Sequence, residues 1–198
     1  MIAAFVIVPN LSAYLQFNRG YPRERLGLLY LVGGACGFVC TRLAGRLTDQ
    51  FGAPLVSLLG TAFFVLVLYA GFLPEPPLLA PLPMFVAFMV TGTFRNIAFS
   101  AVTSRVPFAG ERARFMSSQS AVQHLSAALG AFLGAELLRE LPSGALVGIP
   151  RVVFVSIALG STMPLLIALL EARLRRRPMG VAQARTDSAP TASEPVVV

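Results

Sequence analysis

Arg95 stands near the middle of an apolar stretch, residues 78–101, and Asn96 follows it directly. A charged side chain at the centre of a membrane helix costs about 2.5–3.5 kcal/mol on insertion scales, so such charges usually mark a polar pathway or an ion pair. On a helix, Asn96 shares one face with Ser100 and Thr103. We therefore predict that Arg95 and Asn96 line a polar path through an apolar layer. The alternative is an arginine that reaches the surface of that layer for structural reasons.

A second polar stripe lies in residues 115–138, where Gln123 and His124 fall within one helical turn. His124 is the one histidine of the sequence. Imidazole titrates near neutral pH, which suits proton transfer, whereas a histidine hydrogen-bonded for packing is the alternative. We predict that both side chains face the same path as Arg95.

Asn10 and Tyr14 are four residues apart within residues 2–17, so on a helix they point the same way. Pro9 beside them predicts a break, because proline lacks the N–H that an α-helix needs. Broken helices near the membrane midplane often line binding cavities. The pair is therefore a further candidate for cavity lining.

Two glycine pairs have the spacing of close helix contacts. Gly33 and Gly37 are four residues apart, as are Gly130 and Gly134. Small residues at this spacing let two helices approach in lipid, where the hydrophobic effect does not drive them together. We predict that both pairs lie at helix–helix contacts.

The composition indicates whether the chain is surrounded by water or by lipid. Of the 198 residues, 56% are hydrophobic and 13% are charged, whereas soluble domains are about 45–50% apolar and about 25% charged. Charged or turn-forming residues divide the chain into six apolar segments, residues 2–17, 26–47, 55–73, 78–101, 115–138 and 152–170. An α-helix makes all of its backbone hydrogen bonds internally, as a segment in lipid must. These segments lack the alternation of polar and apolar residues that a strand of a membrane barrel has. The sequence predicts an all-α membrane protein with six transmembrane helices in residues 1–170.

The arginines between the segments predict the orientation. Ten lie in the tail and in the loops on its side, and five lie in the opposite loops. Because cytoplasmic loops carry the excess of basic residues, both termini are predicted to be cytoplasmic, in a cell membrane. Residues 171–198 are predicted to be a disordered cytoplasmic tail. The first segment is shorter than the others, which predicts that upstream sequence is missing or that the start codon is misassigned.

The connection after the second segment carries a recognisable pattern. It reads Gly45-Arg46-Leu47-Thr48-Asp49-Gln50-Phe51-Gly52. This resembles the G-x-L-x-D-R-x-G signature of the major facilitator superfamily, with Gln50 in place of the arginine. Residues 28–34, 92–96 and 112–123 are similar to stretches of drug- and sugar-efflux members, so the resemblance spans residues 2 to about 170.

The resemblance implies a fold and a function. The chain would be the second six-helix half of a transporter bundle, and Gly45, Arg46, Asp49 and Gly52 would form a gating loop on the cytoplasmic side. A secondary, proton-coupled, efflux-type transporter of a small solute is implied, with either a missing N-terminal half or a second copy as partner. The alternative for the loop is an ordinary turn in which Asp49 favours the N-terminus of the third helix.

Several functional classes find no support in the sequence. It has no phosphate-cradling G-x-x-x-x-G-K-[ST] loop, and one histidine with two cysteines cannot build a catalytic metal site. We therefore expect no cofactor, no metal, no enzymatic activity and no nucleic-acid partner. Two alternatives to transport remain: a non-transporting scaffold or truncated remnant, and an intramembrane Ser/His enzyme in which His124 would be the base.

Overall fold

The computed structural model describes residues 1–107 and 109–176 of the chain. This part is mostly helical. Its α-helices are α1 (Ile2–Phe5), α2 (Val8–Ala13), α3 (Leu26–Phe51), α4 (Ala53–Phe72), α5 (Pro81–Thr103), α6 (Arg112–Leu137) and α7 (Ile149–Arg175). A π-helical turn, Tyr14–Asn18, continues α2, and single 3-10 turns, Arg23–Arg25 and Ala109–Glu111, precede α3 and α6.

Four helices in the described part of the chain, α3, α4, α5 and α7, are long and apolar enough to cross a membrane. The other two predicted spans are different. Helix α6 has 26 residues but carries arginine, glutamine, histidine and several serines, and residues Ile2–Asn18 form a shorter apolar segment. The helical character of the chain is therefore confirmed, while the arrangement of six crossing helices stays a prediction.

The first segment is broken where the sequence predicts it. Helix α1 ends at Phe5, Val6 and Ile7 form a turn, and α2 begins at Val8 with Pro9 in its first turn. Proline has no N–H for a helical hydrogen bond, and its ring clashes with the carbonyl four residues earlier, here that of Phe5. The two short helices are therefore separate elements.

Helix α3 extends beyond its predicted end. Residues 48–51 continue the helix for about one more turn, and Gly52 alone separates α3 from α4. The predicted loop is therefore helical, and the proposed role of Asp49 at the N-terminus of the next helix is wrong. Asp49 is exposed in the last turn of α3, and no side chain caps α4. Polar residues here extend a helix past the apolar layer, and the sequence pattern does not distinguish that from a loop.

The backbone of Gly52 gives a testable contrast with Gly45. Gly52 has φ +86°, a conformation that side-chain-bearing residues rarely adopt, whereas Gly45 is helical with no heavy atom within 4 Å of an added Cβ. We expect Gly52→Ala to lower the free energy of unfolding by about 1–3 kcal/mol. Gly45→Ala should raise it by about 0.5–1 kcal/mol. Thermal unfolding in detergent measures both, and equal effects would contradict this assignment of the turn.

Helix α7 is longer than predicted at both ends, since it spans Ile149–Arg175 where the sequence predicts 152–170. Its last turns include Glu171, which is buried and accepts a 2.8 Å hydrogen bond from Nη2 of Arg175. The first residues of the predicted tail are thus helical. Residues 177–198 of that tail lie outside the described residues.

A short hairpin that the sequence analysis did not predict joins α6 to α7. Strand β1 (Arg139–Glu140) pairs antiparallel with β2 (Leu146–Val147). The side-chain amide of Asn18 fixes this hairpin to the π-helical turn, because it both donates to the carbonyl of Leu146 and accepts from its N–H, at 2.8 Å each. Gly144, at φ +81°, makes the turn.

The helices pack through the predicted glycines. A Cβ on Gly33 would lie 2.8 Å from Cε1 of Phe85, so α3 approaches α5 closely there. A Cβ on Gly130 would lie 2.7 Å from the carbonyl oxygen of Ile2, and one on Gly134 would overlap the carbonyl of Val6. The prediction of close packing is confirmed: Gly33 seats α3 on α5, and the second pair seats α6 on α1 and the turn after it.

The outer faces of the helices are apolar. Phe38 is 81% exposed, Val39 70% and Leu31 68%, and exposed leucines and phenylalanines continue over α4, α6 and α7. Soluble proteins rarely expose a continuous apolar surface of this kind. With four apolar helices of sufficient length, this surface fits a membrane protein whose helices contact lipid.

Candidate functional site

Arg95 on α5 is buried inside the helical bundle, with 8% of its surface exposed. Its Cζ lies 4.3 Å from the centroid of the Phe64 ring on α4, which is a cation–π geometry. Its Nε–H is buried without a hydrogen-bond partner. The predicted charge inside the apolar layer is therefore present, and it faces an aromatic ring.

Two glycines make the space for this side chain. A Cβ on Gly60 of α4 would lie 3.3 Å from Cγ of Arg95, and a Cβ on Gly160 of α7 would lie 3.4 Å from its Nη2. The same Cβ on Gly160 would lie 3.1 Å from Cε1 of Phe64. Arg95, Phe64 and the two glycines therefore form one contact between α4, α5 and α7, which we call the arginine slot.

Pro164 lies inside α7, one turn after Gly160. Because proline has no N–H, the carbonyl of Gly160 lacks the helical hydrogen bond that residue 164 would otherwise supply. Such carbonyls are tolerated in membrane helices when neighbouring groups or bound water satisfy them. The arginine slot therefore includes a residue, Gly160, whose carbonyl does not accept the usual backbone hydrogen bond within α7.

No acidic side chain neutralises Arg95 within residues 1–107 and 109–176. The salt bridge found in this part of the chain joins Arg175 to Glu171, at the far end of α7. Arg95 is thus a buried cation whose charge is met by an aromatic ring, and it retains unused hydrogen-bond donors.

Arg95 also lines a cavity of about 430 Å³. The start of α1, the second half of α5, the middle of α6 and the second half of α7 surround it. Its polar side chains are Arg95, Asn96, Thr103, Gln123, Ser126 and Thr162, and the remaining walls are largely leucine, isoleucine, valine, methionine and phenylalanine. The structure therefore brings together three of the predicted pathway residues: Arg95, Asn96 and Gln123.

The other three predicted pathway residues lie elsewhere. The hydroxyl of Tyr14 donates to the carbonyl of Gly71 at 3.3 Å, and its ring stacks on Phe72. With Asn10, it lines a separate void of about 10 Å³ whose walls are otherwise apolar. His124 is exposed on α6 and does not line the larger cavity. The geometry therefore does not join Asn10, Tyr14 or His124 to the path through Arg95, because none of the three lines the cavity.

The motif residues are also separate from the cavity. Arg46 and Asp49 are exposed in the last turns of α3, and Gly45 and Gly52 lie beside them. None of the four lines the cavity. Whether they form a gate stays a prediction.

The sequence analysis missed Phe64, Gly60 and Gly160. Each lies in an apolar segment and has a residue type that is common there, so composition gives no signal. The nearest available signal was Pro164, which stands inside the last segment. Their role follows from three helices meeting at one point.

Apolar outer faces, four helices of membrane-crossing length and a buried cation beside a cavity define an α-helical membrane protein with a charged internal site. Compared with protein-family models, curated proteins and solved structures, the chain matches none.

Proposed function

We propose that this chain is one half of a secondary, proton-coupled, efflux-type transporter of a small solute in the cell membrane. The observation that carries the proposal is Arg95, a buried cation without an acidic partner in the described part of the chain, on the wall of a 430 Å³ cavity. Charged groups inside a membrane protein are expensive and typically belong to a solute or ion path. The energy source is an ion gradient in this proposal, since the sequence has no nucleotide-binding loop.

The cavity is built by a single bundle, whereas secondary transporters hold solute between two repeats that rock around it. The proposal therefore includes a partner, either a companion six-helix half or a second copy of this chain. Both termini are proposed to be cytoplasmic, in line with the arginine distribution. The exposed apolar faces leave ample surface for such a partner.

A reconstitution experiment tests this proposal. The purified chain is placed in phosphatidylcholine liposomes that contain pyranine, and sugars, amino acids and carboxylates are added outside in turn. We expect solute-dependent proton movement from dimeric protein, or from protein co-reconstituted with a companion half, and none from monomer. Light scattering in detergent gives the oligomeric state.

The controls separate the alternatives. Arg95→Gln should abolish the flux, while Arg105→Gln, which changes an exposed arginine just beyond α5, should leave it intact. Flux from a monomer would contradict the two-bundle proposal. Dimeric protein that moves no solute of the series would favour the non-transporting scaffold instead. His124 is exposed, and within the described residues no hydrogen bond joins it to a serine, so the geometry does not supply the pair that the Ser/His enzyme requires.

A further inference from the structure

We propose that the cavity beside Arg95 binds an amphiphilic monocarboxylate, a molecule with one carboxylate and an apolar body. This inference rests on the proposed function, because it names the class of solute that the transporter would carry. It is drawn from the charge of the site, from its walls and from its size.

The charge of the site selects an anion. Arg95 is the one charged side chain on the cavity wall, and no Asp or Glu lines it. The ring of Phe64 and the burial of Nε leave the guanidinium without an acceptor from the described residues. A guanidinium binds a carboxylate through two parallel, charge-assisted hydrogen bonds, which are about twice as strong as neutral ones. A bound carboxylate would supply the missing countercharge.

The walls select the rest of the molecule. Apart from Arg95, polar groups on the wall are the uncharged side chains of Asn96, Gln123 and three hydroxyl residues. The Thr103 and Thr162 hydroxyls already donate to carbonyls of their own helices. Leu159, Leu166 and Leu170 of α7 run along one side. A sugar or another polyol would lose its hydrogen bonds to water against these walls, whereas an apolar body would not.

The size fits one small molecule. Binding sites for small ligands enclose about 300–1,000 Å³, and this cavity has about 430 Å³. Arg95 favours an anionic group in this volume, as does the α-amino group of Met1, which also lines the cavity and interacts electrostatically with Arg95. The carboxylate of a free solute and the phosphate of an anionic lipid share that charge, so the experiment must separate them.

Binding is measured on the full chain in phosphatidylcholine nanodiscs by calorimetric titration. The probe is 2-naphthoate, with 2-naphthamide as its uncharged counterpart and acetate as the anion without an apolar body. We expect 2-naphthoate to bind at least about tenfold more tightly than either, since a hydrogen bond to a charged group contributes about 1.5–3 kcal/mol. Equal affinity for the amide would overturn the proposal.

Two variants remove the two halves of the site. Arg95→Gln should weaken 2-naphthoate binding at least about tenfold and leave the amide unchanged. Gly92→Leu should weaken both, because Gly92 lines the cavity and an added Cβ there meets no heavy atom within 4 Å, so the side chain can extend into the cavity. Arg105→Gln is the matched control and should bind as the unmodified protein does. If Arg95→Gln does not fold, Gly92→Leu still tests the site, and unchanged binding in that variant would place the probe elsewhere.

A lipid arm and a transport arm complete the test. If 2-naphthoate fails to bind in pure phosphatidylcholine while phosphatidylglycerol stabilises the protein through Arg95, the ligand is a lipid phosphate and the carboxylate assignment is overturned. Failure of this inference is separable from failure of the proposed function. Solute-dependent flux without 2-naphthoate binding would remove the inference alone, and binding without flux would remove the transporter alone.

Discussion

Arg95→Met is expected to make the protein more stable and to abolish the solute flux that we propose for it. An arginine at the centre of a membrane helix is unfavourable by about 2.5–3.5 kcal/mol. The cation–π contact with Phe64 offsets about 0.5–2 kcal/mol of this. Methionine fills the slot without a charge, so the net gain is about 0.5–3 kcal/mol. In a chain of this size that is a rise of several degrees in melting temperature, about 2–4 °C per kcal/mol. Scanning fluorimetry in detergent measures the stability and solute flux measures the activity.

The comparison variant is Arg105→Met, which changes an exposed arginine and should alter the stability by less than about 0.5 kcal/mol. A lower melting temperature for Arg95→Met would show that Arg95 holds α4, α5 and α7 together. Unchanged transport with higher stability would return Arg95 to a purely structural role.

Gly134→Leu should detach α6 from the rest of the bundle. A Cβ at this position overlaps the carbonyl of Val6, and backbone cannot move aside as a side chain can. Overpacking typically costs about 1–3 kcal/mol and occasionally more, and we expect this variant to lie at the upper end. The measurement is the melting temperature in detergent, together with proteolysis at α6.

Ala128→Leu on the same helix is its matched control, because Ala128 is exposed. It adds a similar side chain to the lipid-facing side and should leave the melting temperature nearly unchanged. Equal destabilisation by the two variants would mean that leucine destabilises α6 at either position. The contact between α6 and α1 would then not explain the effect of Gly134→Leu.

Much of the helical framework was predictable, because apolar length and turn residues act locally. Four predicted segments correspond to apolar helices of membrane-crossing length, and Pro9 predicted the break in the first segment because its effect on the backbone is local. Charged residues in an apolar pattern were misread as a loop at residues 45–51, where the helix continues instead. Hydropathy indicates which residues contact lipid, but it does not indicate where the helical backbone ends.

The site was predictable in part, since Arg95, Asn96 and Gln123 were predicted and all three line the cavity. The cost of a buried charge identified Arg95, and Asn96 followed as its neighbour on the cavity wall. The slot around Arg95 depends on where α4 and α7 cross α5, which no periodicity encodes. His124 does not line this cavity, because a polar stripe gives the face of a helix but not the side of the bundle that it meets, and its place on a pathway stays a prediction.

Pro164 has a mechanical consequence for α7. The loss of one backbone hydrogen bond lowers the bending stiffness of a helix at that point. The part before Pro164 carries Val152, Val153 and Gly160 into the core and adds Leu159 and Thr162 to the cavity wall, while the part after it adds Leu166 and Leu170. Flexing at this joint would change the width of the cavity while the seat of the guanidinium stays fixed.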